Sequence, residues 1–378
     1  MTRFFISAGE TSGDLHAATV VKAVKSHFPD SEIHGIAGTQ MVEQGCEPLR
    51  HMSELNVMGL SDVLRSLSRI KDVEASVLDW CGTQKPDVAI LVDFSSFHMR
   101  LGRKLRALGI PVIHFIAPKL WAWGGWRVRK LRKSQDKLAC ILPFEPAWFK
   151  QRGVADVRYV GNPSAIGCAD GWSMAELKRR LEISESQKIL ALLPGSRPQE
   201  LRLHVPILAE LLQRVRVEFP DLCCVVPVAP GVDSSILEPL LQQGAKQVDR
   251  TAEGYAMRAD AAVAVSGTAT LELALWNTPT VLIYRASPVM VFLARRLVNL
   301  KCAGLANIIL GDRLVMPELI QEQCTLENVM RELMPLLHNQ EAADKQRQAF
   351  SELRQILGDQ HAASGVVDMV EELLGTAG

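Results

Sequence analysis

The sequence predicts an α/β protein with two Rossmann-like domains that face each other across a cleft. Short apolar runs alternate with helical patterns along the chain, as they do in the βαβ units of a parallel sheet. The pattern lapses between residues 161 and 172 and then restarts, which indicates two similar halves. A length of 378 residues suits two domains of ordinary size.

The N-terminal Rossmann-like domain is predicted over residues 1–165. Each of its strands is a short apolar run of the kind that a doubly wound sheet buries. The expected strands cover residues 4–8, 32–36, 88–92, 111–115, 138–142 and 157–160. A glycine-punctuated loop from Gly9 to Asp14 should follow the first strand, and helices are expected over 15–27 and 100–108.

The C-terminal Rossmann-like domain is predicted over residues 166–355. Its expected strands cover residues 189–193, 223–227, 261–265 and 280–284. Helices are expected over 200–218 and through Glu272, and the pattern is helical from residue 326 onward. Residues 356–378 are assigned to a separate C-terminal helix, which could pack back on the N-terminal domain.

The composition excludes several classes of protein. Lysine and arginine together number 42, as do aspartate and glutamate, so no global charge attracts the chain to nucleic acid. The eight cysteines are scattered without a CxxC pair and the histidines lack metal-ligand spacing, so neither a metal nor a cofactor is expected. Because the N-terminus lacks a signal-peptide pattern and no apolar run could span a bilayer, a cytoplasmic location is expected.

The candidate site residues follow strands, because parallel α/β sheets bind ligands at the carboxyl ends of their strands. In the N-terminal domain these residues are Glu10, Gly13 and Asp14 after the first strand, and Asp93 after a strongly apolar strand. Desolvation at such a strand end could raise the pKa of Asp93 and prepare it as a general base. A tight turn with helix-capping carboxylates is the structural alternative for both loops.

Two loops of the C-terminal domain have the composition of a nucleotide-diphosphate site. The first, within LLPGSR, follows a strand and contains an arginine that can bind phosphate through parallel hydrogen bonds. The second, within SGTATLE, starts a helix, where unpaired N–H groups favour an anion, and its glutamate could accept from ribose hydroxyls. Each loop alone could be an ordinary α/β turn. The six candidate residues are Ser196, Arg197, Ser266, Gly267, Thr268 and Glu272.

Two segments could contact lipid. Apolar residues with interspersed arginine and lysine between residues 55 and 78 are typical of an amphipathic helix, with a buried helix face as the alternative. Residues 121–126 contain three tryptophans and precede a basic run, as at a membrane interface. The residues predicted to face the membrane or the acyl chains are Val57, Met58, Leu60, Leu64, Trp121 and Trp123.

These motifs, in this order and spacing, resemble the lipid-A-disaccharide synthase family over essentially the whole chain. The matching segments are AGETSGD at 8–14, GIAGTQMVEQGCE at 35–47, ELNVMGLSDVL at 54–64, Asp93, WAW at 121–123, LPFE at 142–145, LLPGSR at 192–197, SGTATLE at 266–272 and LANIILG at 305–311. The resemblance implies the GT-B glycosyltransferase architecture and a role in lipid A biosynthesis. It implies transfer of 2,3-diacylglucosamine from UDP-2,3-diacylglucosamine to 2,3-diacylglucosamine 1-phosphate, which forms a β-1,6-linked disaccharide phosphate and releases UDP.

The resemblance also implies roles for individual residues. Asp93 would take the proton of the acceptor 6-hydroxyl, while Glu10 and Asp14 orient sugar hydroxyls. Arg197 and the SGT backbone would neutralise the diphosphate, and Asn307 matches a family position near the active site. The implied partners are the two lipid substrates and the phospholipid surface on the cytoplasmic face of the inner membrane, without nucleic acid. The oligomeric state is open between a monomer and a homodimer.

The chain departs from the family pattern at two places. Residues 94–98 read FSSFH where the family usually has a second carboxylate, and Asn162 replaces a usual histidine. Two alternative functions therefore stay open: another GT-B enzyme that acts on a UDP-sugar, and a non-catalytic relative that binds nucleotide or lipid. An NAD-dependent dehydrogenase is disfavoured, because the chain lacks GxGxxG and its first loop is acidic.

Overall fold

The computed structural model describes residues 1–55, 63–166, 173–228, 232–249, 257–287, 291, 296 and 300–375. At 63–67, 166 and 249 it describes the backbone only. The chain divides into two compact units, residues 1–163 with 359–378 and residues 164–358. Each unit contains one parallel sheet with helices packed on it.

Seven parallel strands form the sheet of the first unit, in the order β3-β2-β1-β4-β5-β6-β7. They are β1 (Arg3–Ala8), β2 (Glu32–Ala37), β3 (Glu47–His51), β4 (Val88–Val92), β5 (Val112–Phe115), β6 (Lys137–Cys140) and β7 (Val157–Tyr159). The strand order reverses between β1 and β4, so the switch point of this sheet lies between their carboxyl ends. All five residues of β4 are buried, which explains its uninterrupted apolar sequence.

Helices connect these strands. They are α1 (Thr11–His27), α2 (Thr39–Glu43), α3 (Val63–Gln84), α4 (Ser95–Ala107), α5 (Val128–Leu131) and α6 (Glu145–Lys150). Two predicted boundaries are wrong. Helix α1 begins at Thr11, so most of the expected loop from Gly9 to Asp14 is helical, and α4 begins at Ser95 rather than at residue 100. In both cases the helix starts almost directly after its strand, before the apolar periodicity becomes visible in the sequence.

Six parallel strands form the sheet of the second unit, in the order β10-β9-β8-β11-β12-β13. They are β8 (Ile189–Leu193), β9 (Cys223–Val228), β10 (Lys246–Asp249), β11 (Ala261–Val265), β12 (Thr280–Tyr284) and β13 (Glu318–Ile320). The switch point of this sheet lies between β8 and β11, where Leu193 and Ala264 are register partners. The predicted bounds of β8, β11 and β12 are confirmed.

The described helices of this unit complete the element order. They are α7 (Pro163–Ile166), α8 (Met174–Arg180), α9 (Pro198–Glu218), α10 (Glu238–Leu241), α11 (Thr268–Leu275), α12 (Leu305–Ile309), α13 (Leu326–His338) and α14 (Gln340–Leu357). Short strands at the sheet edges, β3, β10 and β13, were not predicted, because their sequences mix polar with apolar residues and lack a continuous apolar run.

The last helix, α15 (Ala362–Gly375), packs on the first unit. Val366 and Val370 are buried in the core that contains β1 and α1. At the surface, Glu372 lies 2.8 Å from Arg158 and 2.6 Å from Lys137. Apolar burial and ion pairs therefore both attach the end of the chain to the first sheet. Within the described ranges, no helix has the length and apolarity needed to cross a bilayer.

Candidate active site

Asp93 lies at the switch point of the first sheet. The strands β1 and β4 are hydrogen-bonded neighbours, and their last residues, Ala8 and Val92, are register partners. The residues directly after these partners are Gly9 and Asp93. The carboxylate that the sequence singled out is therefore at the sheet edge where open α/β sheets bind ligands.

The backbone at Asp93 has an uncommon conformation. Asp93 and Phe94 have φ angles of 53° and 42°. The left-handed region costs a non-glycine residue about 1–3 kcal/mol and persists only where the surroundings impose it. Here a Cβ on Gly9 would lie 2.3 Å from the Phe94 ring, and the Asp93 N–H donates to the Phe115 carbonyl at 2.9 Å. Because such strain concentrates at functional sites, it supports a functional role for this turn.

His98 holds the same turn in position. Its Nδ1–H donates to the Asp93 carbonyl at 2.7 Å, since a carbonyl oxygen can only accept. Its Nε2 then accepts from the Ser7 hydroxyl at 2.9 Å. Burial lowers the pKa of His98 to about 4, so the ring is neutral at physiological pH. His98 is thus a positioning residue in the FSSFH stretch where the chain departs from the family pattern, and the sequence analysis did not assign it that role.

Burial raises the pKa of the Asp93 carboxyl above the ordinary value for aspartate, in the direction that the sequence pattern suggested. The positive charge of Lys119, the Phe94 N–H and His16 act in the opposite direction. A raised pKa makes the ionised carboxylate a stronger base, which is the property that a general base requires.

Glu145 is a buried carboxyl of this unit that was not among the predicted site residues. Its Oε1 accepts from the Trp121 indole N–H at 2.9 Å, and its Oε2 accepts from the Leu142 N–H at 3.1 Å. Burial raises the pKa of Glu145 to about 7, against the opposing effects of these hydrogen bonds and of Lys119. Since Lys119 influences both Glu145 and Asp93, the two carboxyl groups belong to one electrostatic environment. Its sequence signals were its place in the LPFE segment that resembles the family and its position at the start of a helix after a strand, which is also typical of a cap.

The residues that follow β1 lie at the start of helix α1 instead of in the predicted loop. Glu10 is exposed at the N-cap position of α1, and Gly13 is buried in the first turn of that helix. The buried Asp14 carboxylate accepts from the backbone N–H groups of Gly38 at 2.8 Å and of Gln40 at 3.0 Å. It therefore caps α2 instead of its own helix. Its carboxylate therefore positions the loop between β2 and α2.

Ser196 and Arg197 follow β8 at the switch point of the second sheet. One oxygen of Glu200 accepts from the N–H of Ser196 at 3.1 Å and from the N–H of Arg197 at 3.2 Å. The Arg197 guanidinium lies 3.6 Å from the other oxygen, while its side chain is 79 % exposed. Glu200 thus fixes the backbone of the loop and leaves the arginine side chain accessible to an anion.

Ser266, Gly267 and Thr268 follow β11 on the other side of this switch point. Gly267 is the N-cap residue of α11, and among the residues that the structure describes no atom apart from those of its chain neighbours lies within 4 Å of a Cβ built on it. The Ser266 hydroxyl donates to the Ala303 carbonyl at 3.1 Å. Glu272 is half-buried, one turn into the helix. Open space at a helix N-terminus is the arrangement that binds phosphate oxygens.

Asn307 is buried, and its side chain is fully engaged. Its Oδ1 accepts from the backbone N–H groups of Val315 and Met316, and its Nδ2 donates to Glu318 at 2.8 Å. Glu318 also accepts from the N–H of Ala303 at 2.7 Å. These hydrogen bonds give the Asn307 amide a positioning role. Through Glu318 and Ala303, it fixes the loop that the Ser266 hydroxyl contacts.

The residues predicted to contact lipid have different outcomes. Val57, Met58 and Leu60 lie outside the described residues, as does the side chain of Leu64 in α3. Trp121 is half-buried against Glu145, so its indole N–H is committed inside the protein.

Trp123 is 48 % exposed, and so is its neighbour Trp126, at 71 %. The guanidinium of Arg127 lies 5.3 Å from the Trp123 ring centre, and the Lys130 ammonium lies 5.6 Å from the Trp126 ring centre. Two large apolar side chains beside cations are the composition of a membrane-interface surface. Among the residues that the structure describes, no group of three histidine, cysteine, aspartate or glutamate side chains could hold a metal ion.

Comparisons with known sequences agree with the motifs. A family model described as lipid-A-disaccharide synthetase matches residues 4–365. A lipid-A-disaccharide synthase from Myxococcus xanthus is 36 % identical over 376 residues, which cover 98 % of this chain and 97 % of that protein. A lipid-A-disaccharide synthase from Haemophilus influenzae is 35 % identical, and the match covers 96 % of each chain.

Solved structures resemble the fold at much lower identity. A UDP-GlcNAc 2-epimerase from Neisseria meningitidis, bound to UDP-GlcNAc, gives a TM-score of 0.67 at 12 % identity and covers 98 % of this chain and 100 % of that chain. MurG from Acinetobacter baumannii gives 0.58 at 15 % identity with the same coverage. These similarities concern the fold alone, which is the GT-B architecture of two parallel-sheet α/β domains.

Proposed function

The chain belongs to the lipid-A-disaccharide synthase family of GT-B glycosyltransferases, and from this premise we propose that it is an inverting enzyme of lipid A biosynthesis. It transfers 2,3-diacylglucosamine from UDP-2,3-diacylglucosamine to the 6-hydroxyl of 2,3-diacylglucosamine 1-phosphate. The products are a β-1,6-linked disaccharide 1-phosphate and UDP.

Asp93 is the general base of this proposal. Its carboxylate takes the proton of the acceptor 6-hydroxyl while that oxygen attacks the anomeric carbon of the donor. The bond from the anomeric carbon to the diphosphate oxygen breaks, and its electron pair leaves with UDP. The observation that carries the proposal is a half-buried carboxyl at the first switch point, whose pKa is raised by desolvation and which is held by a strained turn and by His98.

The second unit binds UDP and stabilises it as the leaving group. The exposed Arg197 guanidinium and the N-terminus of α11 at Ser266, Gly267 and Thr268 neutralise the diphosphate, whose negative charge increases as the bond breaks. Ser196 shares the Arg197 loop, and Glu272 accepts from the ribose hydroxyls.

The other predicted site residues orient a substrate hydroxyl or position loops of the protein. Glu10 orients a sugar hydroxyl from the N-cap of α1, and Gly13 belongs to the same helix start. Asp14 and Asn307 position loops through the buried hydrogen bonds described above. Removal of either positioning side chain should therefore lower stability as well as rate.

The substrates are acylated, so we propose that the enzyme docks as a peripheral protein on the cytoplasmic face of the inner membrane. The exposed Trp123 and Trp126, each beside a cation, support this role. The double variant Trp123→Ala/Trp126→Ala should co-sediment with anionic liposomes at low salt less than the wild type. Equal sedimentation of the two proteins would contradict docking through this surface.

The test of the reaction is a detergent assay with both proposed substrates and a chelator. Mass spectrometry should detect disaccharide 1-phosphate and UDP in equal amounts. Release of UDP without formation of disaccharide would indicate hydrolysis of the donor. It would contradict the proposal that 2,3-diacylglucosamine 1-phosphate is the acceptor. If neither product formed but UDP still bound saturably, the protein would act on a different UDP-sugar or be a non-catalytic relative.

A further inference from the structure

A basic groove lies between α4 and the segment that contains α5. Its volume is about 870 Å³, and seven of its nine lining residues are arginine or lysine. The other two are Ser96 and Met99, so none of the described carboxylates lines it. The chain as a whole has equal numbers of acidic and basic residues, and the groove is therefore a local concentration of positive charge.

The two cations of α4 outside the groove are paired with carboxylates, whereas most of the groove cations are not. Lys104 lies 3.1 Å from Glu74, and Arg106 lies 2.8 Å from Asp136. In the groove, Arg100 also pairs with Glu74 at 2.9 Å. Within the described part of the chain, the other six groove cations have no ion-pair partner. These are Arg103, Arg127, Arg129, Lys130, Arg132 and Lys133.

Such clustered like charges repel one another, and an anion in the groove would relieve the repulsion. Arginine is suited to phosphate, because its planar fork donates two parallel hydrogen bonds to neighbouring oxygens. Several cations around one cavity would bind a phosphate monoester dianion more tightly than a singly charged phosphodiester. The chemistry of the groove therefore favours a terminal phosphate group.

The groove begins beside the proposed base. Ser96 is three residues after Asp93, in the first turn of α4. Ser96, Arg100 and Arg103 are spaced by four and three residues, so they share one face of that helix. The Ser96 hydroxyl accepts from Arg127 at 3.1 Å, which joins the two walls of the groove at the end near Asp93.

We propose that this groove binds the 1-phosphate of the acceptor sugar and so delivers its 6-hydroxyl to Asp93. The inference rests on the proposed function and adds a substrate subsite to it. One pyranose ring separates the phosphate from the hydroxyl.

Acceptor kinetics test the subsite with the double variant Arg103→Ala/Lys133→Ala. The assay uses neutral detergent micelles without phospholipid and compares 2,3-diacylglucosamine 1-phosphate with 2,3-diacylglucosamine that lacks the phosphate. The variant should raise KM for the phosphorylated acceptor about tenfold or more, the effect of losing a charge-assisted hydrogen bond. KM for the unphosphorylated acceptor and for the donor should not change.

Two control variants accompany the assay. Lys22→Ala removes an exposed cation from α1 of the same unit and should behave as the wild type. Arg103→Lys keeps the charge and should retain most of the affinity. An unchanged KM in the double variant, or an equal rise for both acceptors, would overturn the subsite. A defect that appears only on anionic vesicles would assign the groove to lipid headgroups and would also overturn it.

Binding of glucosamine 1-phosphate, followed by tryptophan fluorescence, separates this proposal from the proposed function. Trp126 beside Lys130 provides a reporter close to the groove. The wild type should bind the sugar phosphate, and the double variant should bind it about tenfold more weakly. If the double variant bound the sugar phosphate more weakly but the wild type made no disaccharide, the result would contradict the proposed reaction and support the phosphate site. If the wild type did not bind the sugar phosphate, the site would be overturned even with normal turnover.

Discussion

The two switch points of this protein differ in how firmly their polar groups are held. At the first, Asp93 lies on a left-handed turn with a φ of 53°, and its carbonyl accepts from the fully buried His98. At the second, the Arg197 side chain is 79 % exposed and the space around Gly267 is open. The polar groups at the switch point are thus held by packing and hydrogen bonds in the first unit, and are accessible to solvent in the second.

This difference matches the roles that we propose for the two sites. A general base must be held within hydrogen-bond reach of one proton, with a pKa shifted toward the working pH, and both conditions require burial. A diphosphate brings its own charge and can order an exposed arginine when it binds. An open helix N-terminus and a flexible cation are therefore sufficient for binding UDP.

The largest expected effect is the loss of rate when Asp93 is replaced. Asp93→Asn keeps the size of the side chain but removes the base, so kcat should fall by about 10²- to 10⁴-fold. Initial rates of disaccharide formation with both substrates saturating measure this fall. Asp30→Asn, which neutralises an exposed carboxylate in the same unit, should keep the wild-type rate. A kcat of Asp93→Asn close to that of the wild type would show that another group takes the proton.

At the second switch point, the effect should be on donor affinity. Arg197→Ala should raise KM for the UDP-sugar about 10- to 100-fold, as expected for lost charge-assisted hydrogen bonds to phosphate. The matched control is Arg202→Ala, which removes another exposed arginine near the start of α9. If Arg197→Ala left the donor KM unchanged, Arg197 would have no part in UDP binding.

A pair of glycine variants compares the rigidity of the two sites. Gly9→Ala introduces a Cβ 2.3 Å from the Phe94 ring, so the turn at Asp93 must shift, at a cost of about 1–3 kcal/mol. Gly267→Ala meets no atom within 4 Å and should change the free energy of unfolding by less than about 0.5 kcal/mol. Urea unfolding of both variants measures the difference. Equal destabilisation would contradict the contrast between a packed and an open site.

The smallest effect is spectroscopic and concerns Glu145. Because burial raises its pKa to about 7, this carboxyl is neutral below that pH and charged above it. Its Trp121 partner should report the change, so tryptophan fluorescence should titrate with a midpoint near pH 7. Glu145→Gln cannot ionise and should abolish that step. Persistence of the step in the variant would assign it to another group.

The fold was largely predictable, because buried parallel strands have continuous apolar sequences. β4 and β11 are examples in which all five residues are buried. The edge strand β3 was missed, since a strand with a neighbour on one side only does not need an apolar run. The start of α1 at Thr11 was missed for a different reason: glycines within AGETSGD favour a loop locally, whereas packing on the sheet makes the segment helical.

The position of a candidate residue in the fold was predictable only where that residue lies in the loop that follows a strand. Asp93 met that condition, and so did Arg197. The role of Asp14 could not be predicted, because its carboxylate accepts hydrogen bonds from backbone N–H groups 24 to 27 residues away. Glu145 depends in the same way on Trp121, 24 residues earlier in the chain. Burial and long-range hydrogen bonds decide whether a carboxylate caps a helix or titrates near neutrality. A local sequence pattern shows neither the burial nor the hydrogen bonds.

Calorimetric titration of UDP into the Asp93→Asn and Arg197→Ala variants tests the division between the two switch points most directly. Asp93→Asn should bind UDP with wild-type affinity despite its lost turnover. Arg197→Ala should bind UDP at least about tenfold more weakly than the wild type. Loss of UDP binding in Asp93→Asn, together with unchanged binding in Arg197→Ala, would contradict it.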